Sequence, residues 1–278
     1  MQSSDNLFLV AIDFWSPSIN ALEMAARFAT EYKGRILAVH VVEKSFNYPG
    51  HLNVDLDTIE EDLEAAMDLV LSPIRERGIM AEFELRKGDV TRQLMESVHD
   101  HEAQALFVGL REGRILEDIF IGENTLHLIK AAEVPLVVVE SAPTVQEIRE
   151  VLIPMDRKFG VGGLLDFMES LDHPLAKSAL IITAMAPEED ETAVRTATEF
   201  LVEQLRGHGI ENFQVDIVRD QDPYGAMMDQ LRLDVGIFDL VLLEHHNFAD
   251  LGQLTLGSIV EEVVTKGRMP VVCLPRRN

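Results

Sequence analysis

The sequence is poor in cysteine, in basic residues and in long apolar runs. Cys273 is the single cysteine, which excludes an intrachain disulfide and a thiolate metal cluster and is typical of a reducing compartment. Lysine and arginine number 24 against 48 aspartates and glutamates, so the formal charge is -24. Such a surface repels phosphate backbones and anionic lipid, and no apolar stretch reaches the roughly 18 residues that a membrane span needs. We expect a cytoplasmic protein that binds neither nucleic acid nor membrane.

The composition supports a large folded core. Hydrophobic residues make up 47% and charged residues 26% of the 278 residues, which is the balance of a globular protein. At about 150 residues per domain, this length predicts roughly two domains.

Apolar runs alternate with amphipathic segments along the whole chain. Leu7 to Ile12 is a continuous apolar run, and Ser16-Pro17 after it is typical of a helix N-cap and first helical position. Runs of this kind between helices indicate a parallel sheet covered on both faces. The sequence predicts an α/β protein of two similar doubly wound domains, each with a five-stranded parallel sheet and about four helices. The predicted strands of the second half lie near Glu150 to Ile153, Ala179 to Ala184, Phe213 to Val218, Leu240 to Leu243 and Val271 to Leu274.

The two halves can be aligned by landmarks after their strands. Asp13 aligns with Asp156 at a separation of 143, whereas Pro135 aligns with Pro270 at a separation of 135. The difference is most simply placed in the loop after the second strand, which is long in the first half. A short turn-forming stretch, Ser141-Ala142-Pro143-Thr144, separates the halves. We therefore predict one domain over 1–143 and another over 144–278.

Ligands of open parallel sheets bind outside the carboxyl ends of the strands. In the first half, the residues at these positions are Asp13, Val41, Gly88 and the segment from Gly109 to Gly122. In the second half they are Asp156, Asp220 to Asp222 and the segment from Glu244 to Gly257.

With these residues the chain resembles the universal stress protein family, in a tandem form with the adenine-nucleotide alpha-hydrolase-like fold. The first-half matches are Asp13 with Ser16 and Ser18, His40-Val41-Val42, Gly88-Asp89, and Gly109 paired with Gly122. The second-half matches are Pro154-Met155-Asp156, Gly257-Ser258 and Met269-Pro270-Val271-Val272. The resemblance implies ATP or AMP contacts from Asp13, Val41, Gly88, Gly109, Gly113 and Gly122, and from Asp156, Gly257 and Ser258.

The phosphate loop of nucleotide-binding members has the form G-x-x-G, nine further residues, then G-[S/T], and this chain keeps it only in part. Gly109 and Gly122 have the required spacing, but Glu112 takes the second glycine position and Glu123 the hydroxyl position. Gly113, one residue late, could partly replace the missing glycine. Carboxylates facing a triphosphate oppose its binding.

The second half departs from this pattern at other positions. Gly257-Ser258 is intact, but Glu244 and Asn247 stand at the two earlier glycine positions, and Gln221 stands where the first half has Gly88. We expect that neither half keeps a complete phosphate loop, and we regard the first half as the better candidate for nucleotide binding.

Each candidate residue also has a purely structural interpretation. The glycines after strands are typical turn residues, and Asp13 and Asp156 suit the caps of the following helices. Trp15 and Cys273 suit packing, Cys273 as an inert apolar residue of a buried strand. His99, His101 and the pair His245-His246 lack metal-ligand spacing, so we predict no metal site.

The leading functional hypothesis is a non-enzymatic stress-response protein that acts through contacts with an unidentified protein partner. The resemblance further implies that the halves form an internal pseudo-dimer and that two chains pair as a homodimer. The alternative is an adenine-nucleotide sensor that uses mainly the first domain. Slow ATP hydrolysis is a third possibility, although no water-activating base and no standard hydrolase, zinc-protease or kinase motif is recognisable.

Overall fold

The computed structural model describes residues 6–42, 56–110, 112–115, 118–121, 123–140, 147–155, 161–223, 225–227, 229, 238–245, 263 and 269–275. The first half contains β1 (Leu7–Ala11), α1 (Ser16–Glu31), β2 (Arg35–Val42), α2 (Leu56–Glu76), β3 (Ala81–Lys87), α3 (Val90–Asp100), β4 (Ala105–Gly109), β5 (Glu112–Ile115), β6 (Asp118–Ile121), α4 (Glu123–Ala131) and β7 (Leu136–Val139). The second half contains β8 (Glu150–Met155), α5 (Gly162–Ser170), β9 (Ser178–Met185), α6 (Glu191–Gly207), β10 (Asn212–Arg219), β11 (Leu240–His245) and β12 (Val271–Pro275).

Ten of these strands form one continuous sheet, in the order β10-β9-β8-β11-β12-β7-β4-β1-β2-β3. Within each half the five strands are parallel and follow the same order, with the first strand of the half in the middle. The strand β11 lies parallel to β12, which completes the second half. This arrangement confirms the predicted α/β fold of two similar doubly wound halves.

The halves meet where β7 and β12 pair antiparallel, with Val138 opposite Val271 and Leu136 opposite Cys273. All the residues of β7 are buried, as are the residues from Val271 to Leu274 of β12. The segment in which we predicted the domain boundary lies outside the described residues.

Side chains of the central strands alternate between two core clusters, one on each face of the sheet. Phe8 and Val10 of β1 pack with α1 and α2 on one face, whereas Leu7 and Leu9 pack with α3 and α4 on the other. This alternation follows from the two-residue repeat of a strand, and it explains why the strands are apolar throughout.

Three phenylalanine rings fix α1 over the centre of the first half. Phe8, Phe28 and Phe107 contact one another edge to face, with ring centroids 5.3 to 5.9 Å apart. The anchoring of α1 determines where its N-terminus lies relative to the strand ends, and therefore shapes the candidate site.

Candidate functional site

The carboxyl ends of four neighbouring strands form the candidate site of the first half. Val41 and Val42 of β2 lie beside Arg86 and Lys87 of β3, and the Gly88 N–H donates to the Val42 carbonyl at 3.0 Å. On the other side of β1 lies β4, which ends at Gly109. The structure therefore brings Asp13, Val41, Gly88 and Gly109 to one end of the sheet, and their role as nucleotide contacts stays a prediction.

Asp13 lies in a tight turn between β1 and α1. Its Oδ1 accepts a hydrogen bond from the Trp15 N–H at 3.0 Å, while its own N–H donates to Ser18 Oγ at 3.3 Å. The residue between, Phe14, has φ 65°, a left-handed conformation that is uncommon for a bulky side chain. The bonds of Asp13 and Ser18 fix this strained turn and hold the carboxylate at the end of β1.

The turn corrects two details of the sequence prediction. The N-cap of α1 is Trp15, one residue before the predicted Ser16, and no side chain caps the helix. Asp13 therefore stabilises the turn instead of capping α1. The Trp15 side chain is 59% exposed, so it is not part of the core.

His40 is a site residue that the sequence analysis quoted in a motif but did not propose. Its Nδ1 donates to the Ile12 carbonyl at 2.7 Å, and its ring lies 5.0 Å from the Phe14 ring. Because a carbonyl only accepts, this bond places the ring proton on Nδ1. The signal was available in the sequence, since His40 is the single polar residue within the apolar run from Ile36 to Val42.

Gly88 and Gly109 are glycines for different reasons. Gly88 has φ +151°, a conformation that side chains rarely adopt, directly before Asp89, which caps α3 by accepting from the Arg92 N–H. A Cβ on Gly109 would lie 2.3 to 2.6 Å from backbone atoms of Pro17 and Ser18. Packing of the α1 N-terminus on β4 therefore requires glycine at 109, which supports the structural interpretation of that residue.

The segment after Gly109 differs from the expected phosphate loop. Where a loop was predicted, β5 and β6 form an antiparallel hairpin in which Gly113 lies opposite Phe120 and Glu112 opposite Ile121. Strand-favouring Ile119, Phe120 and Ile121 account for the extended backbone. The predicted residue Gly122 lies outside the described residues.

In the second half, a carboxylate occupies the start of the first helix. Glu244, the counterpart of Gly109, is the penultimate residue of β11, and its Oε1 accepts a hydrogen bond from the Gly163 N–H of α5 at 3.0 Å. Gly163 is itself required, because a Cβ there would lie 2.4 Å from the Pro275 carbonyl oxygen. In both halves a glycine allows the first helix to approach a strand end closely. That glycine lies on the strand in the first half (Gly109) and on the helix in the second half (Gly163). Asp156, Gly257 and Ser258 lie outside the described residues.

Titratable groups near the first-half site are concentrated between β3 and α3. Arg86 Nε lies 2.9 Å from Glu84 Oε1 in an ion pair without hydrogen-bond geometry, and Arg86 Nη2 lies 2.8 Å from Asp100 Oδ2. Burial acts to raise the pKa of the Glu84 carboxyl, but its contacts with Arg86 and Ser97 lower that pKa overall. This network attaches α3 to the outermost strand of the half.

In the part of the chain that the structure describes, no three histidine, cysteine, aspartate or glutamate side chains come together as metal ligands. None of the helices built from described residues is both long and apolar enough to cross a lipid bilayer.

Two halves with the same parallel strand order place the chain in the class of doubly wound α/β proteins. The model of the universal stress protein family matches residues 7–140, so this half of the chain belongs to that family, and the second half repeats its fold. The predicted resemblance to a tandem universal stress protein is thereby confirmed.

Solved structures resemble the chain over nearly its whole length. A universal stress protein from Archaeoglobus fulgidus DSM 4304 is 18% identical, covers 99% of this chain and 100% of its own, and superimposes with a TM-score of 0.74. A putative universal stress protein from Pseudomonas aeruginosa UCBPP-PA14 is 13% identical, covers 98% and 94%, and has a TM-score of 0.64. At these identities the likeness concerns the fold. No curated protein matches the sequence.

Proposed function

We propose that the protein is a non-enzymatic stress-response regulator that acts through protein contacts, and that its second half has lost nucleotide binding. One observation supports the loss of nucleotide binding in the second half: the Glu244 carboxylate accepts a hydrogen bond from the Gly163 N–H at the start of α5. A helix N-terminus attracts anions, and here an anion of the chain itself holds the position. A phosphate would have to displace that carboxylate and would be repelled by it.

Exposed apolar side chains support the proposal that the protein acts through contacts with other proteins. Leu69 of α2 and Phe200 of α6 are 77% and 55% exposed, and each precedes by nine residues the left-handed glycine, Gly78 or Gly209, that follows its helix. The duplicated fold thus presents a large apolar residue at the same position twice. A homodimer is one form of contact within this proposal, and its mass in light scattering should fall in a Leu69→Ser, Phe200→Ser double variant.

Calorimetric titration with Mg-ATP and with AMP tests the loss in the second half. We expect no more than one nucleotide bound per chain and no phosphate release above that of an Asp13→Asn variant. Asp13→Asn is a suitable reference because its amide oxygen still accepts from the Trp15 N–H and preserves the turn. Two nucleotides per chain would contradict the lost second site, and ATP turnover by the unaltered chain would contradict the non-enzymatic role.

A second candidate function is an adenine-nucleotide sensor in the first half. It is favoured by the convergence of Asp13, Val41 and Gly88 from three neighbouring strands. A ligand at about 100 times its dissociation constant stabilises the folded state by roughly 2.7 kcal/mol. ATP or AMP should therefore raise the melting temperature, and less so in Asp13→Asn; no stabilisation at millimolar nucleotide would reject the sensor.

A further inference from the structure

A cavity of about 370 Å³ lies between the two halves, outside the strand ends discussed above. Its first-half wall is the C-terminal part of α1 with Tyr32, and its second-half wall consists of segments that precede β8, β9 and β10. Small-molecule sites commonly enclose roughly 300 to 1,000 Å³, so this cavity has the size of a ligand site. Because both halves line it, an occupant would contact both.

Buried side chains form the floor of the cavity, and one of them carries a hydroxyl that lines it. Phe28, Leu175 and Ala176 are buried and apolar, and Tyr32 is 3% exposed. The Tyr32 ring packs on Phe28 at 5.6 Å, and its main-chain carbonyl accepts from Asn6 Nδ2. Its hydroxyl forms no hydrogen bond with any described residue. The hydroxyl oxygen is not among the fully buried polar atoms that lack a partner, so it faces the open space of the cavity, where a ligand can reach it.

The charges at the rim are unevenly paired. Glu147 lies 3.6 Å from Lys177 Nζ and 3.3 Å from Arg149 Nε, so its charge is compensated. Arg27 is a second cation that lines the cavity.

By contrast, the rim carboxylates of Glu31 and Glu211 form no ion pair within the described part of the chain. Three carboxylates (Glu31, Glu147, Glu211) and two cations (Arg27, Lys177) line the cavity, so the balance of these charges is negative. Glu31 also acts on the floor, because its charge adds to burial in raising the pKa of the Tyr32 hydroxyl. The phenol consequently stays neutral and keeps lone pairs that can accept a hydrogen bond.

We propose that this cavity binds a small organic amine with an apolar body. The ammonium group meets the carboxylates of Glu31 and Glu211 and donates to the Tyr32 hydroxyl oxygen, while the apolar body covers the Phe28 floor. The proposal does not depend on nucleotide binding, because none of the lining residues belongs to the strand-end site.

Titration of the full chain with three probes of matched shape tests the charge preference: 2-phenylethylamine, the neutral 2-phenylethanol and the anionic 3-phenylpropionate. We expect the amine to bind with a dissociation constant of about 1 mM or lower and at least roughly tenfold more tightly than the alcohol. The carboxylate should bind least. Absence of amine binding at about 5 mM, or equal affinity for the amine and the alcohol, would overturn the proposal.

Substitutions of the lining residues test whether the amine binds in this cavity. Glu31→Gln and Glu211→Gln should each weaken amine binding about threefold or more, and Tyr32→Phe should weaken it while retaining the ring contact with Phe28. Glu169→Gln is the matched control, because Glu169 lies near the C-terminal end of the equivalent helix α5 but does not line the cavity. Unchanged melting temperatures show that the variants fold. If amine affinity is the same in all four variants, the assignment to this cavity is wrong.

Discussion

At the scale of single residues, glycine positions show how closely the backbone segments approach. At Gly109 the backbone of Pro17 and Ser18 occupies the space of a Cβ, whereas at Gly207, the last residue of α6, nothing lies within 4 Å. The same substitution should therefore have opposite effects at the two positions.

Gly109→Ala should destabilise the protein by roughly 1 to 3 kcal/mol, because α1 or β4 has to shift. Gly207→Ala should be neutral or stabilise it by up to about 1 kcal/mol, because alanine is the better helix former. The free energy of unfolding in urea measures both. A tolerated alanine at 109 would show that α1 does not pack on β4 as described.

Cys273 provides a second test at this scale. It lies in β12 opposite Leu136, is fully buried, and has its pKa raised to about 12 by burial. Because the thiolate is the reactive form, the native protein should not react with a disulfide reagent at pH 8, and one thiol per chain should react after unfolding in guanidinium. Rapid reaction of the native protein would mean that the β7–β12 junction opens.

At the scale of helices and strands, the ion-pair network between β3 and α3 should make stability depend on pH. The pKa of Glu84 is lower in the folded protein than its ordinary value of 4.5, so its contribution is complete above that value and is lost as pH falls through the lowered folded value. Asp100 shifts in the same direction through its hydrogen bond with Arg86.

An Arg86→Met variant should consequently lose less stability than the unaltered protein when pH falls from 7 to about 3.5. Urea unfolding at the two pH values measures the difference. Arg92→Met is the control, because the Arg92–Glu96 pair is exposed on α3 and does not join two elements. If stability depends on pH equally in the unaltered protein and in Arg86→Met, the ion-pair network does not stabilise the packing of α3 on β3.

The central strands were predictable from sequence because they are buried on both faces and therefore apolar throughout. The β5–β6 hairpin was not, since its strands of four residues are too short for a periodicity to stand out from the glycine spacing of Gly109 and Gly122. The sequence predicted which residues lie at the strand ends, but not the turn and the hydrogen bonds that hold them there. The turn at Asp13 depends on the left-handed Phe14, and the bond from Gly163 to Glu244 joins residues 81 apart.

At the scale of the whole molecule, one antiparallel strand pair connects two sheets that are otherwise parallel. The residues of β7 are at most 2% exposed because β12 covers their outer edge. A strand edge of this kind is a template for pairing with another strand. The duplication supplies that strand from the same chain, so the β7 edge is not available for contacts between chains.

A fragment of residues 1–143, which lacks β12, should therefore dimerise through β7. Without β12 the edge of the apolar strand Leu136 to Val139 would be open, and antiparallel pairing of β7 with a second β7 reproduces the geometry of the β7–β12 junction. Light scattering at about 100 μM should give twice the fragment mass, and circular dichroism should show that the fragment is folded. A fragment that is folded but monomeric would mean that the β7 edge does not need a partner, and that other contacts hold the two halves together.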